Sequence, residues 1–410
     1  MRRSPLSILP SSATRDARLL VAARSLRSFG DGLTSVLLPF YLLALGHSQL
    51  EVGVLATAAL LGSAVLTLGV GLVSHRIAPR GVLLAASALM LATGLGFAAA
   101  SAFVLLLVIA FVGTLNPSGG DVSVFLPTEQ ALLTETVVAS ERTALFARYN
   151  VCAALAVSLG ALSAGLPAWL AARTGTDLAH AARFAFAGYG LLGVAAAGCY
   201  RRLARAQREP ASVSSAPRRA LEESRGIVLR LTALFSLDSF GGGFAINSIL
   251  VLWLRERHAL SLETAGVVMS AAALLSALSQ LLSAPLARRI GLIRTMVFTH
   301  LPANAFLIGA AFAPSAGAAI ACLLARAALS QMDVPARQAY VMSVVKPEER
   351  AAAASFTNVP RSLASALSPT PAGALLGASS FGWPLVVGGA LKIVYDLLLL
   401  AGFRHRPPRV

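Results

Sequence analysis

The chain has 410 residues, 56% of them hydrophobic and only 13% charged, with a formal net charge of +16. A soluble domain carries roughly 25% charged residues, so the composition excludes a globular protein with a water-facing surface. Stretches such as 52–73 and 82–110 hold no charged residue at all, and runs of that length cross a bilayer.

In chain order, residues 1–18 form a short basic N-terminus. Crossings follow at about 19–45, 52–74, up to about 98, 103–137, 143–171 and 181–200. The fourth is too long for one straight helix, and Asn116-Pro117-Ser118-Gly119-Gly120 near its middle predicts a kink or local unwinding. Residues 201–226 are a basic linker rich in Arg, Ser, Pro and Ala, which suits a cytoplasmic tether near anionic lipid. Six more crossings are read at about 228–253, 264–287, 291–312, 315–343, 351–378 and 382–402, before a basic tail at 403–410. The expected fold is therefore an all-α integral membrane protein. Twelve transmembrane helices form two pseudo-symmetric six-helix bundles, at 19–200 and 227–402.

The Lys and Arg residues concentrate in the N-terminus, alternate short loops, the linker and the tail. Arg173, Arg183, Arg255 and Arg257 fall in the intervening loops. That alternation is the positive-inside pattern and predicts both termini in the cytoplasm; it is not the footprint of a nucleic-acid binder. Arg24 and Arg27 are expected at the cytoplasmic edge of the first crossing, and with Asp31 they break the apolar core a signal peptide needs.

An internal repeat organises the chain. Residues 121–150 read DVSVFLPTEQALLTETVVASERTALFARYN, and residues 329–358 read LSQMDVPARQAYVMSVVKPEERAAAASFTN. One offset places Pro127 on Pro335, Gln130 on Gln338, Glu141 on Glu349, Arg142 on Arg350 and Asn150 on Asn358.

Charges inside a membrane are costly and mark pairs or functional sites. Within the crossings stand the acids Asp31, Asp121, Glu129, Asp238, Asp333 and Asp396 and the bases Arg148, Arg326, Arg337, Arg361 and Lys392. Asp31 and Asp238 lie at similar depth in the first helix of each half, beside glycines, and Asn247 extends a polar face above Asp238. Glu129 and Arg148 lie at matching depth on either side of the Glu141 turn, which predicts an ion pair. In the second half Arg337 replaces Glu129, with Asp333 one turn earlier and Arg361 just after Asn358. A carboxyl group whose surroundings alternate between desolvation and a basic neighbour loads and releases a proton, and Asp31 and Asp121 are the first candidates for that role.

Cys152, Cys199 and Cys322 lie in apolar runs at no metal spacing. His47, His75, His258 and His300 are expected near membrane edges in ordinary polar roles. No Walker A loop and no dinucleotide fingerprint is present, so neither an enzyme, a cofactor nor a metal site is expected.

The inner loop of each half carries a resemblance. Gly71 and Arg76 match the pattern G-x-x-x-D-R-x-G-R, with His75 at the acid position and Ala78 at the second glycine. The second half keeps Arg289 and Gly291, with Ala284 and Arg288 at the other two places. In these loops and in its two halves the chain resembles the major facilitator superfamily, as a bacterial efflux-like member with a degenerate loop signature. The antiporter pattern G-P-x-x-G-G is partly kept in Gly160 to Gly165 and in Ser368 to Gly373.

The resemblance implies the major facilitator fold, alternating access across a bacterial inner membrane, and gating by the loop residues Gly71, His75, Arg76, Arg289 and Gly291. It favours export of a small organic or drug-like solute by proton antiport. Two alternatives stay open: a proton-coupled importer of a small organic anion held by intramembrane arginines, and a lipid or lysolipid flippase. Protons, membrane lipids and one small-molecule substrate are the expected partners of a monomer.

Overall fold

The computed structural model describes residues 12–73, 77–119, 123–204, 224–346 and 349–403. His75, Arg76 and Asp121, most of the linker and the tail 404–410 lie outside these residues.

Helices cover the intervals read from the sequence. The first half holds α1 (Arg15–Ala44), α2 (Gln49–Val73), α3 (Pro79–Ala99), α4 (Phe103–Val112), α5 (Leu126–Thr134), α6 (Arg142–Ser163), α7 (Leu166–Thr174) and α8 (Leu178–Arg201). The second holds α9 (Arg225–Gly243), α10 (Asn247–His258), α11 (Leu262–Ile290), α12 (Leu292–Ala311), α13 (Ala316–Ala327), α14 (Asp333–Val344), α15 (Arg350–Leu367), α16 (Pro369–Ala378) and α17 (Trp383–Phe403).

Five of the intervals are broken, and local chemistry explains where. Pro127, Pro167 and Pro369 each sit in the first turn of a new helix, where the missing N–H costs nothing. The break after α4 is the predicted one. There the Ser118 backbone N–H and hydroxyl donate to Asn116 Oδ1 at 3.2 and 2.7 Å, Gly119 takes a positive φ of 64°, and the Thr114 N–H donates to Thr93 Oγ1 at 3.2 Å. Non-helical backbone at membrane depth persists only where its polar groups find such partners.

Among the described residues, seven helical stretches are long and apolar enough to span a bilayer by length and composition. The remaining intervals fall short because they are split, as α4 and α13 are, or because they carry buried polar side chains, as α1 and α12 do. Large apolar side chains such as Leu72, Val104, Phe184 and Leu282 are exposed; in water they would form a liability, and in lipid they form the outer surface.

The chain divides into two compact units. The first takes Met1–His47, Ala58–Ala206 and Ser261–Ser270; the second takes Ser48–Thr57, Gln207–Leu260 and Ala271–Val410. In the first, α1 packs on α6 and α8, and α3 on α8; in the second, α9 packs on α15 and α17, and α12 on α17. The same pairings thus recur around separate cores, one containing Met90, Phe125, Tyr149 and Tyr200, the other Phe235, Met296, Tyr340 and Tyr395. Small residues set the closest approaches. A side chain at Gly160 of α6 would strike the Phe29 carbonyl of α1, and one at Gly241 of α9 would lie 2.9 Å from the Gly388 carbonyl of α17.

Candidate functional site

Each unit contains its own buried charge cluster. In the first, Glu129 of α5 is fully buried and forms an ion pair with Arg27 of α1. The Tyr149 hydroxyl of α6 donates to Glu129 Oε2 at 2.6 Å, and the Tyr200 hydroxyl of α8 donates to Oε1. Arg27 also donates from Nε to Tyr200 Oη at 3.1 Å and from Nη1 to Ser123 Oγ at 3.2 Å, and its guanidinium stacks 4.0 Å from the Phe125 ring centroid. Four helices therefore converge on one carboxylate, and hydrogen bonds on both its oxygens offset its desolvation. Asp31, one turn beyond Arg27 on α1, is buried within Coulombic reach of Arg27 and Tyr189.

Two expectations change here. The partner of Glu129 is Arg27, not Arg148; Arg148 is half-buried on α6, and its Nη1 is buried without a hydrogen-bond partner. Arg24 and Arg27 are also interior groups rather than edge charges: both are buried, with Arg24 5.6 Å from the Tyr149 ring centroid.

The second cluster is built on Asp238 of α9. Lys392 Nζ of α17 donates to its Oδ1 at 2.6 Å and to its backbone carbonyl at 3.3 Å, while Arg337 Nη1 of α14 donates to Oδ2 at 3.2 Å. Arg337 bridges on to Asp333 Oδ2 at 3.1 Å. On the other side, His300 of α12 places Nε2 3.8 Å from Asp238 Oδ1 and Nδ1 3.0 Å from Asp396 Oδ1 of α17. Asn304 Nδ2 donates to Asp396 Oδ2 at 3.1 Å. His300 is thus a buried member of the network and not an edge residue, because α12 runs its His300–Asn304 face against α17.

Of the other sequence candidates, Asp238, Asp333 and Arg337 come together as described. Arg361 on α15 is half-buried, within Coulombic reach of Asp238, Asp333 and Arg337, and its Nε has no hydrogen-bond partner. Asn247 does not continue the Asp238 face, because the helix stops at Gly243 and restarts at Asn247. Asn358 is exposed. Gly71 is exposed too, with open space where a side chain would go, and so is Arg289, whereas Gly291 holds a φ of 87° that joins α11 to α12 and favours glycine.

The members missed in the sequence are Arg27, Tyr149, Tyr200, His300, Asn304, Lys392 and Asp396 as site residues. A signal for most of them was present: Arg27/Asp31, His300/Asn304 and Lys392/Asp396 repeat the Asp333/Arg337 spacing of four, which stacks two polar groups on one helix face. Among the described residues, no group of three or more His, Cys, Asp and Glu could hold a metal ion.

Residues 20–369 and 232–410 match the model of the Major Facilitator Superfamily. The chain belongs to this superfamily. It is accordingly a multi-pass membrane transporter, working by secondary active transport with alternating access, and not an enzyme. An uncharacterized membrane protein of Saccharomyces cerevisiae is 25% identical over 424 residues, covering 95% of this chain and 94% of the relative.

Solved structures of transporters share the fold. The D-xylose–proton symporter has a TM-score of 0.74 at 15% identity over 96% of this chain and 98% of its own. The nucleoside transporter NupG gives 0.73 at 12% over 96% and 100%. A bacterial homolog of the human lysosomal transporter Spinster, inward-facing and occupied, gives 0.72 at 14% over 95% and 96%.

Proposed function

We propose that this superfamily member takes up a small organic anion together with protons. The carrying observation is the state of its interior charges. Glu129 and Asp238 are each satisfied by cations of their own unit, whereas Arg326 and Arg361 each bury an Nε that makes no hydrogen bond. A buried guanidinium with open donor capacity is expensive, and a carboxylate or phosphate oxygen would satisfy it with charge-assisted bonds. Arg148, with a buried unbonded Nη1, adds a third such group. This balance favours an anion over the cationic or neutral drug-like solute of the efflux reading. The fold likeness to a D-xylose–proton symporter supports a solute that moves in the same direction as its proton.

With this reading go twelve crossings in two six-helix bundles, both termini in the cytoplasm, and residence in a bacterial inner membrane. The helix breaks and buried polar groups account for the crossings that apolarity alone leaves out.

Proteoliposomes with an acid exterior test the proposal on labelled succinate, benzoate, inorganic phosphate, D-xylose and a quaternary ammonium. Uptake of an anion that rises with the gradient and falls at least tenfold in Arg361→Gln is the expected result. Uptake of the cation, or expulsion of solute against proton entry, would overturn it.

A further inference from the structure

We propose that His300 and Asp396 share the proton this transporter moves, taking it up when an anion occupies Arg361. The inference rests on the anion-uptake reading above and names groups other than Asp31 and Asp121, the first candidates in the sequence.

The geometry favours these two groups over Glu129, Asp238 and Asp333. Glu129 receives Arg27 and two tyrosine hydroxyls. Asp238 receives both Lys392 and Arg337, and Asp333 receives Arg337. A carboxylate held by a neighbouring cation resists protonation. Asp396 is fully buried, and among the described residues it forms an ion pair with no lysine or arginine; its partners are the His300 imidazole and the neutral Asn304 amide. His300 in turn stands between two carboxylates, Asp396 on its Nδ1 side and Asp238 on its Nε2 side. With Nδ1–H donated to Asp396, the Nε2 lone pair faces Asp238. An added proton on Nε2 then lies between ring and carboxylate, and the imidazolium is neutralised from both sides. Imidazole is the side chain whose ordinary range spans this exchange near neutral pH.

Charge balance supplies the coupling. The groups around the couple are Asp238 from α9, Asp333 and Arg337 from α14, Arg361 from α15, and Lys392, Tyr395 and Asp396 from α17. With Tyr395 and His300 neutral, the carboxylates Asp238, Asp333 and Asp396 match Arg337, Lys392 and Arg361. A monoanion seated on Arg361 leaves the cluster one negative charge in excess, and one proton on His300–Asp396 restores neutrality. Because uncompensated charge is disfavoured in a buried site, each ligand raises the occupancy of the other, and the coupling is reciprocal. The predicted stoichiometry is one proton for one monoanion.

The experiment uses the full chain in proteoliposomes and whichever probe of the panel above the wild type moves. His300→Gln and Asp396→Asn are both expected to lose gradient-driven accumulation by at least tenfold, and Asp396→Asn, fixed in the neutral form that the proton would create, to lose much less of gradient-free counterflow than of accumulation. Asn304→Ala, which retains both proton-holding groups and removes only an amide bond to Asp396 Oδ2, is expected to lose less accumulation than either. Normal accumulation in His300→Gln overturns the proton assignment while leaving anion uptake intact. A wild type that moves only the neutral or cationic probe ends the anion reading and removes the trigger at Arg361.

A folding defect would remove counterflow as well. In that event, nitrogen-15 spectra of histidine-labelled wild type in nanodiscs decide. The His300 ring signals should shift when the transported anion is added; signals that the anion leaves unmoved overturn the assignment.

Discussion

Glu129 and Arg337 occupy equivalent places in the internal repeat and carry opposite charges, yet each is ion-paired to the first helix of its own unit. Glu129 takes its cation, Arg27, from α1, and Arg337 takes its anion, Asp238, from α9. The bond between these helices is kept while acid and base change places. A buried pair survives such an exchange because each unit needs local neutrality and not one particular sign.

Removing one partner should therefore be far worse than removing both. Arg27→Met leaves Glu129 charged and fully buried, held among the described residues by the Tyr149 and Tyr200 hydroxyls, a loss expected at about 3–5 kcal/mol. Arg27→Met combined with Glu129→Leu should recover most of it. Thermal unfolding of the detergent-purified variants in a double-mutant cycle measures the difference, and additive losses would show that the two residues do not act as a pair.

The repeat also places two glutamates that fasten the start of each unit. The Ser12 hydroxyl and backbone N–H donate to Glu141 Oε2 at 2.5 and 3.1 Å, and the Ser224 N–H donates to Glu349 Oε2 at 3.1 Å. Ser12 precedes α1 and Ser224 precedes α9, so each acid holds an entering chain end at a helix N-terminus, where negative charge is favoured. Glu349 is buried and Glu141 half-buried. Glu349→Ala should thus cost about 1.5–3 kcal/mol and Glu141→Ala less, the usual range for bonds to a charged acceptor. Hydrogen exchange should quicken at residues 224–228 in the first variant and at 12–17 in the second.

Glycines separate packing from signature. A methyl group at Gly160 would strike the Phe29 carbonyl, while one at Gly71 meets nothing within 4 Å. Gly160→Ala should destabilise by about 1–3 kcal/mol through overpacking, and Gly71→Ala should leave the thermal midpoint unchanged. Equal effects would show that the α1–α6 contact gives way more easily than its backbone geometry implies.

The helical scheme and some of the breaks were legible because they are local, whereas the stop at Gly243 that separates α9 from α10 was not. Pro127, Pro167, Pro369 and the Asn116–Gly119 stretch announce where backbone bonds cannot continue, and the repeat announces that α6 and α15 begin alike after a Glu-Arg step. Partners were not legible, because they lie on other helices. Arg27 and Glu129 are 102 residues apart, and depth counted from the Glu141 turn pointed to Arg148 instead. His300 was expected near a membrane edge, yet its spacing from Asn304 matches that of Lys392 from Asp396, and packing of α12 on α17 joins the two couples. Spacing of four marks a polar face; only packing says what that face meets.

Asp238 is the acid on which the second unit depends, and its two cations are unequal. Asp238→Asn withdraws a charge from Lys392 and Arg337 together. Arg337 keeps Asp333 at 3.1 Å, but Lys392 is left with the residue-238 backbone carbonyl at 3.3 Å as its remaining hydrogen-bond partner. Lys392→Met removes one cation and leaves Asp238 bonded to Arg337, with His300 nearby. The first change should therefore cost about 3–5 kcal/mol and the second clearly less. Asp238→Asn with Lys392→Met should cost less than Asp238→Asn alone, because the stranded ammonium is gone. Thermal midpoints of the three variants in one detergent check the order, and a double variant weaker than Asp238→Asn would show that Lys392 finds another anion when Asp238 is neutral.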